Sequence, residues 1–160
     1  MGEMNAMAVK LEKDIIELVN SPETLKILAT VDENNVPHAA FKGSLHVNEE
    51  GNLEFLELLE SSTTYRNFTR SLWYEGKVAV TFKGADNRSF QIKGRPEKIV
   101  ISGPVFEKNY IRLRERRGDV ELAAVCIIKP EEVSGWPAVN RFAEQESKRP
   151  FFKHLDRLAK

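Results

Sequence analysis

Between Leu25 and Lys129 the chain alternates short apolar runs with tight polar turns, and this rhythm restricts the fold more than any other feature. Leu25, Ile27, Ala29 and Val31 alternate with Lys26, Leu28 and Thr30, the period of a strand. Asp32-Glu33-Asn34-Asn35 is a turn, and Pro37 to Val47 reads as a second strand. Gly43 inside it marks a bulge or a close approach. After the turn Glu49-Glu50-Gly51-Asn52, a third strand runs from Leu53 to Leu59. Its period slips at Phe55-Leu56, which makes both faces apolar and predicts a central position. Val78, Val80 and Phe82 mark a fourth strand, and Gly84 to Asn87 turns into a fifth, Ser89 to Ile101. Pro96 divides that strand and predicts a bend or an edge. The sixth, Glu121 to Lys129, sets Leu122, Ala124, Cys126 and Ile128 on one side. Parallel strands need crossovers of a dozen or more residues, and too few are present for a doubly wound sheet. The expected fold is mainly β with helices (α+β), a small six-stranded antiparallel barrel.

Three amphipathic segments decorate the strands. Met4, Met7, Ala8, Leu11, Ile15, Leu18 and Val19 recur at helical spacing, ended by Asn20-Ser21-Pro22. Tyr65, Phe68 and Leu72 share a face of a second helix that stops near Gly76. Phe106, Tyr110 and Leu113 mark a third, from Gly103-Pro104 to Gly118. Arg112, Arg114, Arg116 and Arg117 crowd its last turns, where basic residues complement the helix dipole. After Pro130 the composition changes. Ser134-Gly135-Trp136-Pro137 reads as a loop, and Pro150 opens a short helix with Phe151, Phe152, Leu155 and Leu158 on its apolar side. Trp136, Phe142, Phe151 and Phe152 must bury against the barrel or a second subunit.

With 160 residues, one core is expected. The 24 basic and 24 acidic residues cancel, which argues against a dedicated nucleic-acid or anionic-membrane binder. The single Cys126 excludes an internal disulfide and suits a reducing compartment. Lys10, Glu12, Lys13 and Asp14 interrupt any signal-peptide core, and no apolar run is long enough to span a membrane. A cytoplasmic location is the expectation.

Few motifs carry chemistry. His38, His46 and His154 are scattered, and no CxxC or HExxH occurs, so no metal site is indicated. GxSxG, GxGxxG and Walker motifs are absent. What remains is the run Ser61-Ser62-Thr63-Thr64 at a strand-to-helix junction. Hydroxyls there can cap the helix, and the same helix start can hold an anion such as a phosphate ester. Asn67, Lys42, Ser44, Gln91 and Lys93 are further candidates for a polar, phosphate-ready pocket, the last two on one face of the fifth strand.

The order of these pieces resembles the FMN-binding split-barrel family, which includes pyridoxamine 5'-phosphate oxidase-like proteins. The likeness rests on Leu25 to Val31, then Val36-Pro37-His38-Ala39-Ala40-Phe41-Lys42-Gly43-Ser44-Leu45. It continues through Leu53 to Leu59, Ser61 to Phe68, Lys77 to Phe82 and Ser89 to Arg95. The resemblance implies a split β-barrel homodimer with two FMN molecules at the subunit interface. Ala40, Phe41, Lys42 and Ser44 would run along the ring or ribityl chain, and Leu58 and Leu59 would pack near the ring. Ser61, Ser62, Thr63, Thr64 and Asn67 would hold the phosphate. The family often has a lysine at the position of Thr63, so Lys42 or Arg66 would supply the counter-charge. It also implies a flavin-binding domain over residues 1–130 and a C-terminal extension over 131–160. The expected function is an FMN-dependent oxidoreductase or electron carrier of unknown substrate. Arg141, Arg149 and Arg157 do not form the arginine set of enzymes that make pyridoxal phosphate. Haem or deazaflavin in the same fold, with His38, His46 or His154 as a haem ligand, is one alternative. A non-enzymatic ligand-binding dimer is the other.

Overall fold

A computed structural model describes residues 9–135 together with Ser147 and Lys148. The elements in order are α1 (Lys13–Asn20), β1 (Leu25–Val31), β2 (Pro37–Phe41), β3 (His46–Val47), β4 (Leu53–Glu57) and α2 (Thr63–Trp73). Then come β5 (Val78–Lys83), β6 (Ser89–Val100), α3 (Pro104–Arg117) and β7 (Ala124–Ser134). The described strands form one seven-stranded sheet, β2-β1-β5-β6-β7-β4-β3, and every pairing is antiparallel.

The sheet must curl. β2 and β3 are its two edges, yet only Lys42 to Leu45 separate them in the chain. From Phe41 to His46 the backbone reaches at most about 18 Å. The edges are therefore held close, and the sheet becomes a half-barrel. This corrects the expected strand Pro37 to Val47 and raises the strand count from six to seven. The break is a turn in which the Leu45 amide donates to the Lys42 carbonyl at 3.1 Å. Gly43 belongs to that turn rather than to a bulge, and a side chain there would meet open space.

The barrel interior is apolar. Leu28, Leu45, Leu53, Phe55, Phe68, Val80, Phe82, Phe90, Ile92, Cys126 and Ile128 form its core with Ile15, Leu18 and Val19 of α1. Phe55 and Phe68 meet edge-to-face at 5.3 Å, and Phe82 stacks on Phe90 at 4.9 Å. A smaller core lies between α3 and β7, where Leu113, Leu122 and Val125 pack with Leu56 and Leu58. Both faces of β4 and β7 are thus covered, as the slipped period of β4 predicts. β7 begins at Ala124 and continues through Pro130 to Ser134, beyond the predicted end at Lys129.

Pro96 falls where β6 bends: its register on β7 shifts between Pro96 and Lys98. β5 pairs with β6 only as far as Gly94, so Pro96, which has no N–H, lies on a stretch without a β5 neighbour. Gly94 sits at the other shift, and a Cβ there would come 2.2 Å from the Lys129 carbonyl oxygen.

Two faces differ from the simplest reading of their periods. On β1 the buried residues are Lys26, Leu28 and Thr30, while Leu25 is 55% exposed. On α2 they are Thr64, Asn67, Phe68 and Ser71, with Tyr65 and Leu72 half-buried. The polar members can be inside because they have internal partners: Asn67 Nδ2 donates to Thr30 Oγ1 at 3.1 Å. α1 is shorter than predicted: it begins at Lys13, so Leu11 packs in the core from the segment before the helix, and residues 1–8 lie outside the described residues. Trp136, Phe142, Phe151, Phe152, Leu155 and Leu158 lie outside them too. Among the described residues, no helix is long and apolar enough to cross a membrane.

Candidate functional site

A cleft of ≈ 760 Å³ opens where the Lys42–Leu45 turn, the end of β4 and the C-terminal half of α3 converge. That volume lies within the roughly 300–1,000 Å³ usual for small-molecule sites. Phe41, Leu56, Leu58 and Leu59 give it apolar walls. Five basic side chains also line it: Lys26, Lys42, Arg112, Arg116 and Arg117. Glu57 is the carboxylate among its lining residues.

Lys26 comes in from β1, in phase with buried Leu28, and is only 6% exposed. Its Nζ donates to the Leu45 carbonyl at 2.7 Å. No described carboxylate lies within ion-pair distance of it, and burial pushes its ammonium pKa down. An ammonium has three donors, so acceptors remain to be found for the other two. Lys42 differs. Its Nζ is 3.1 Å from Glu57 Oε1 and 5.5 Å from the centre of the Phe55 ring, so its charge is met inside the fold. The Glu57 carboxylate also accepts from the Leu59 amide at 3.4 Å, and Ser44 Oγ accepts from the Leu56 amide at 3.0 Å. The turn and β4 are thereby tied together as one wall.

His46 also lines the cleft, but both ring nitrogens are engaged. Nδ1 lies 2.9 Å from the Ser44 carbonyl and Nε2 3.1 Å from Glu54 Oε2. The hydrogen bond to Glu54 raises the imidazole pKa against desolvation, and the same bond lowers that of Glu54. Cys126 is buried in the core, and desolvation raises its thiol pKa far above the ordinary range. Buried among apolar side chains, it is a packing residue of the core. Among the described residues, no group of three or more His, Cys, Asp or Glu side chains could hold a metal.

The site residues expected from the sequence fall into separate places. Phe41, Lys42, Ser44, Leu58 and Leu59 line the cleft together. Ala40 is half-buried on β2, opposite Leu28. Ser61 and Ser62 precede α2, Thr63 and Thr64 open it, and none of the four is among the cleft residues. Ser62 is the cap, its Oγ accepting from the Tyr65 amide at 3.0 Å. Thr64 and Asn67 are buried, whereas Ser61 and Thr63 are exposed. Gln91 and Lys93 share a sheet face outside the cleft, and Gln91 Nε2 donates to Thr81 Oγ1 at 3.1 Å. Arg66 is exposed on α2. The cleft adds Lys26, Arg112, Arg116 and Arg117, which sequence reasoning did not select. The signal for Lys26 was present: a lysine in phase with the buried residue of an alternating strand. For the arginines, the helix-dipole explanation accounted for their position and concealed their direction.

No protein-family model matches the chain, and no curated protein matches it in sequence. Solved structures do match in fold. HupZ of Group A Streptococcus superposes with a TM-score of 0.61 at 22% identity, over 77% of this chain and 91% of that one. A candidate pyridoxamine 5'-phosphate oxidase of Lactobacillus delbrueckii gives 0.59 at 25% identity, over 78% and 93%. An FMN-binding protein of Syntrophomonas wolfei gives 0.58 at 18%, over 76% and 85%. An F420 reductase and HutZ, the heme storage protein of Vibrio cholerae, share the fold as well. By its curled antiparallel sheet and these neighbours, the chain has the split-barrel fold of pyridoxamine 5'-phosphate oxidase-like and FMN-binding proteins.

Proposed function

We propose that this chain binds FMN in the cleft and uses it for redox chemistry as an oxidoreductase or electron carrier. The observation that carries this reading is Lys26, a buried ammonium without a carboxylate partner, beside apolar walls. A buried charge left unpaired is costly, and a phosphate ester meeting Lys26 would offset that cost. Phe41, Leu58 and Leu59 supply the apolar surface that a flat ring system requires. Bound there, FMN would supply the electron transfer, while the protein fixes its orientation and excludes water.

The phosphate contact assigned to Lys26 replaces the counter-charge expected from Lys42, which Glu57 already holds. The exposed hydroxyls of Ser61 and Thr63 remain rival phosphate contacts at the start of α2. A homodimer accompanies this reading. Phe41 is 71% exposed, and Leu25 and Val36 are also exposed, on or beside the two strands at the β2 edge of the sheet. Apolar surface of this kind marks an interaction site.

Titration with FMN, followed by flavin fluorescence, tests the assignment. Lys26→Met is expected to weaken FMN binding about tenfold, near 1.4 kcal/mol. Ser61→Ala with Thr63→Ala is expected to leave it within about twofold, because neither hydroxyl adds charge. Failure of the chain to bind FMN, or equal affinity in Lys26→Met, sinks the reading. A Soret band on titration with haem would favour haem instead. His46 is a poor axial ligand because both its nitrogens are engaged, which leaves His38 among the described histidines.

A further inference from the structure

We infer that the His46 imidazolium is a positioning residue for the cleft: it pins the turn that holds Lys26, and so ties the grip of Lys26 on a phosphate to the protonation of His46. The inference rests on the phosphate role of Lys26 and adds a proton to the control of that site.

Both ring nitrogens of His46 face acceptors. Nδ1 lies 2.9 Å from the Ser44 carbonyl, and Nε2 lies 3.1 Å from Glu54 Oε2. A neutral imidazole carries one N–H and can donate to only one of them. The other oxygen would then face a ring lone pair, and that contact would be lost. The imidazolium donates to both. Glu54 is buried, lies directly opposite His46 across β3 and β4, and has a lowered pKa, chiefly through its bond to His46. Three consecutive residues carry the coupling to the cleft. The Ser44 carbonyl accepts from the His46 ring, the Leu45 carbonyl accepts from Lys26 Nζ at 2.7 Å, and the His46 ring continues to Glu54. β3 has only two residues and pairs with β4 alone among the described strands, so its backbone ladder is short. A second side-chain anchor is Asn20 Oδ1 of α1, which accepts from the Val47 amide at 2.8 Å. Release of the imidazole loosens the turn on the Ser44 side, and Lys26 loses the fixed acceptor that aims its ammonium.

The groups around the ring set the direction. Glu54 comes from β4 and favours the imidazolium, whereas Lys26 from β1 opposes it. Asn48 Nδ2 donates to Glu54 Oε1 at 3.3 Å, and Asn109 of α3 is a further hydrogen-bond partner of Glu54; both are uncharged. Arg112, Arg116 and Arg117 of α3 line the same cleft, and Lys42 of the turn is met by Glu57. The bond to Glu54 wins, and the His46 pKa is raised. The pin is therefore complete below the ordinary 6.5 and is lost as pH rises through the raised value. Phosphate affinity should fall in the same direction.

Titration of the parent and His46→Gln with FMN between about pH 6 and 9, followed by flavin fluorescence, tests this. The readout is the ratio of the two affinities, because Lys26 and the phosphate ionise in both proteins and cancel. The ratio is expected to be about threefold below the raised His46 pKa and to fall to one above it. A ratio that does not change with pH overturns the inference. His46→Arg keeps its charge and its donors at every pH, and it is expected to hold the low-pH affinity of the parent over the whole range. Glutamine keeps a donor for Glu54, and thermal melts verify that both variants fold. In the Lys26→Met background, His46→Gln is expected to have no further effect. An equal loss there means that His46 meets the ligand directly, and the positioning role is overturned. If FMN does not bind, the flavin reading falls, and inorganic phosphate followed by calorimetry takes its place on the same variants. A pH-dependent ratio for phosphate then upholds the inference, and a flat ratio or no binding overturns it.

Discussion

The two ends of the molecule treat polar side chains in opposite ways. Around α2 the polar groups have internal partners: buried Asn67 bonds to Thr30, and the half-buried Ser62 hydroxyl caps the helix at the Tyr65 amide. At α3, Lys26, Arg112, Arg116 and Arg117 line a cleft with no carboxylate within ion-pair distance of them among the described residues, whereas Lys42 in the same cleft meets Glu57. A polar group with an internal partner is accounted for by folding alone. A buried or convergent cation without one is accounted for only by something that arrives. The difference moves the expected anion site from the hydroxyl run towards Lys26.

The largest expected effect lies on the satisfied side. Phe68→Ala removes the ring that meets Phe55 edge-to-face in the core, and a loss of about 3–5 kcal/mol is expected in chemical denaturation. Asn67→Ala comes next. It leaves the Thr30 hydroxyl buried without its donor, at a cost of about 1–3 kcal/mol. FMN affinity should be unchanged, and a large loss of affinity in a folded variant would break the comparison. Ser62→Ala deletes the cap of α2 and should cost about 1 kcal/mol, again without an effect on FMN. If FMN binding falls with it, the hydroxyl run holds phosphate after all.

The smallest effect is a pH dependence at the cleft edge. The His46 pKa is raised above its ordinary 6.5, so its contribution is complete below that value and is lost as pH rises through the raised one. The Glu54 pKa is lowered below its ordinary 4.5, so its contribution is present above 4.5 and is lost as pH falls through the lowered one. The imidazole is partly exposed, and less than about 1 kcal/mol is expected. His46→Gln should flatten the alkaline limb of a plot of melting temperature against pH.

How much was legible in the sequence depended on the range of the interaction. The turns at Asp32 to Asn35 and Glu49 to Asn52 and the bend at Pro96 are local and reappear, and β1 keeps its period of two with the opposite face buried. Pro37 to Val47 misled because both halves have strand composition. What divides them is pairing with different partners, β1 for one half and β4 for the other. The lining of the cleft was legible in part. Phe41, Lys42, Ser44, Leu58 and Leu59 meet at one cleft, whereas the hydroxyl run, Gln91 and Lys93 lie elsewhere.

By itself, then, the sequence determined an antiparallel β protein with short turns, three helices and a capped α2. These follow from backbone geometry and from side-chain periods that repeat within a few residues. Only the tertiary structure decided which basic residues face one another across the cleft and which have partners. Lys26 and Arg112 are far apart in the chain, and no local pattern links them. The curl that joins the edges of the sheet, and the packing of α3 over β7, bring them to the same opening.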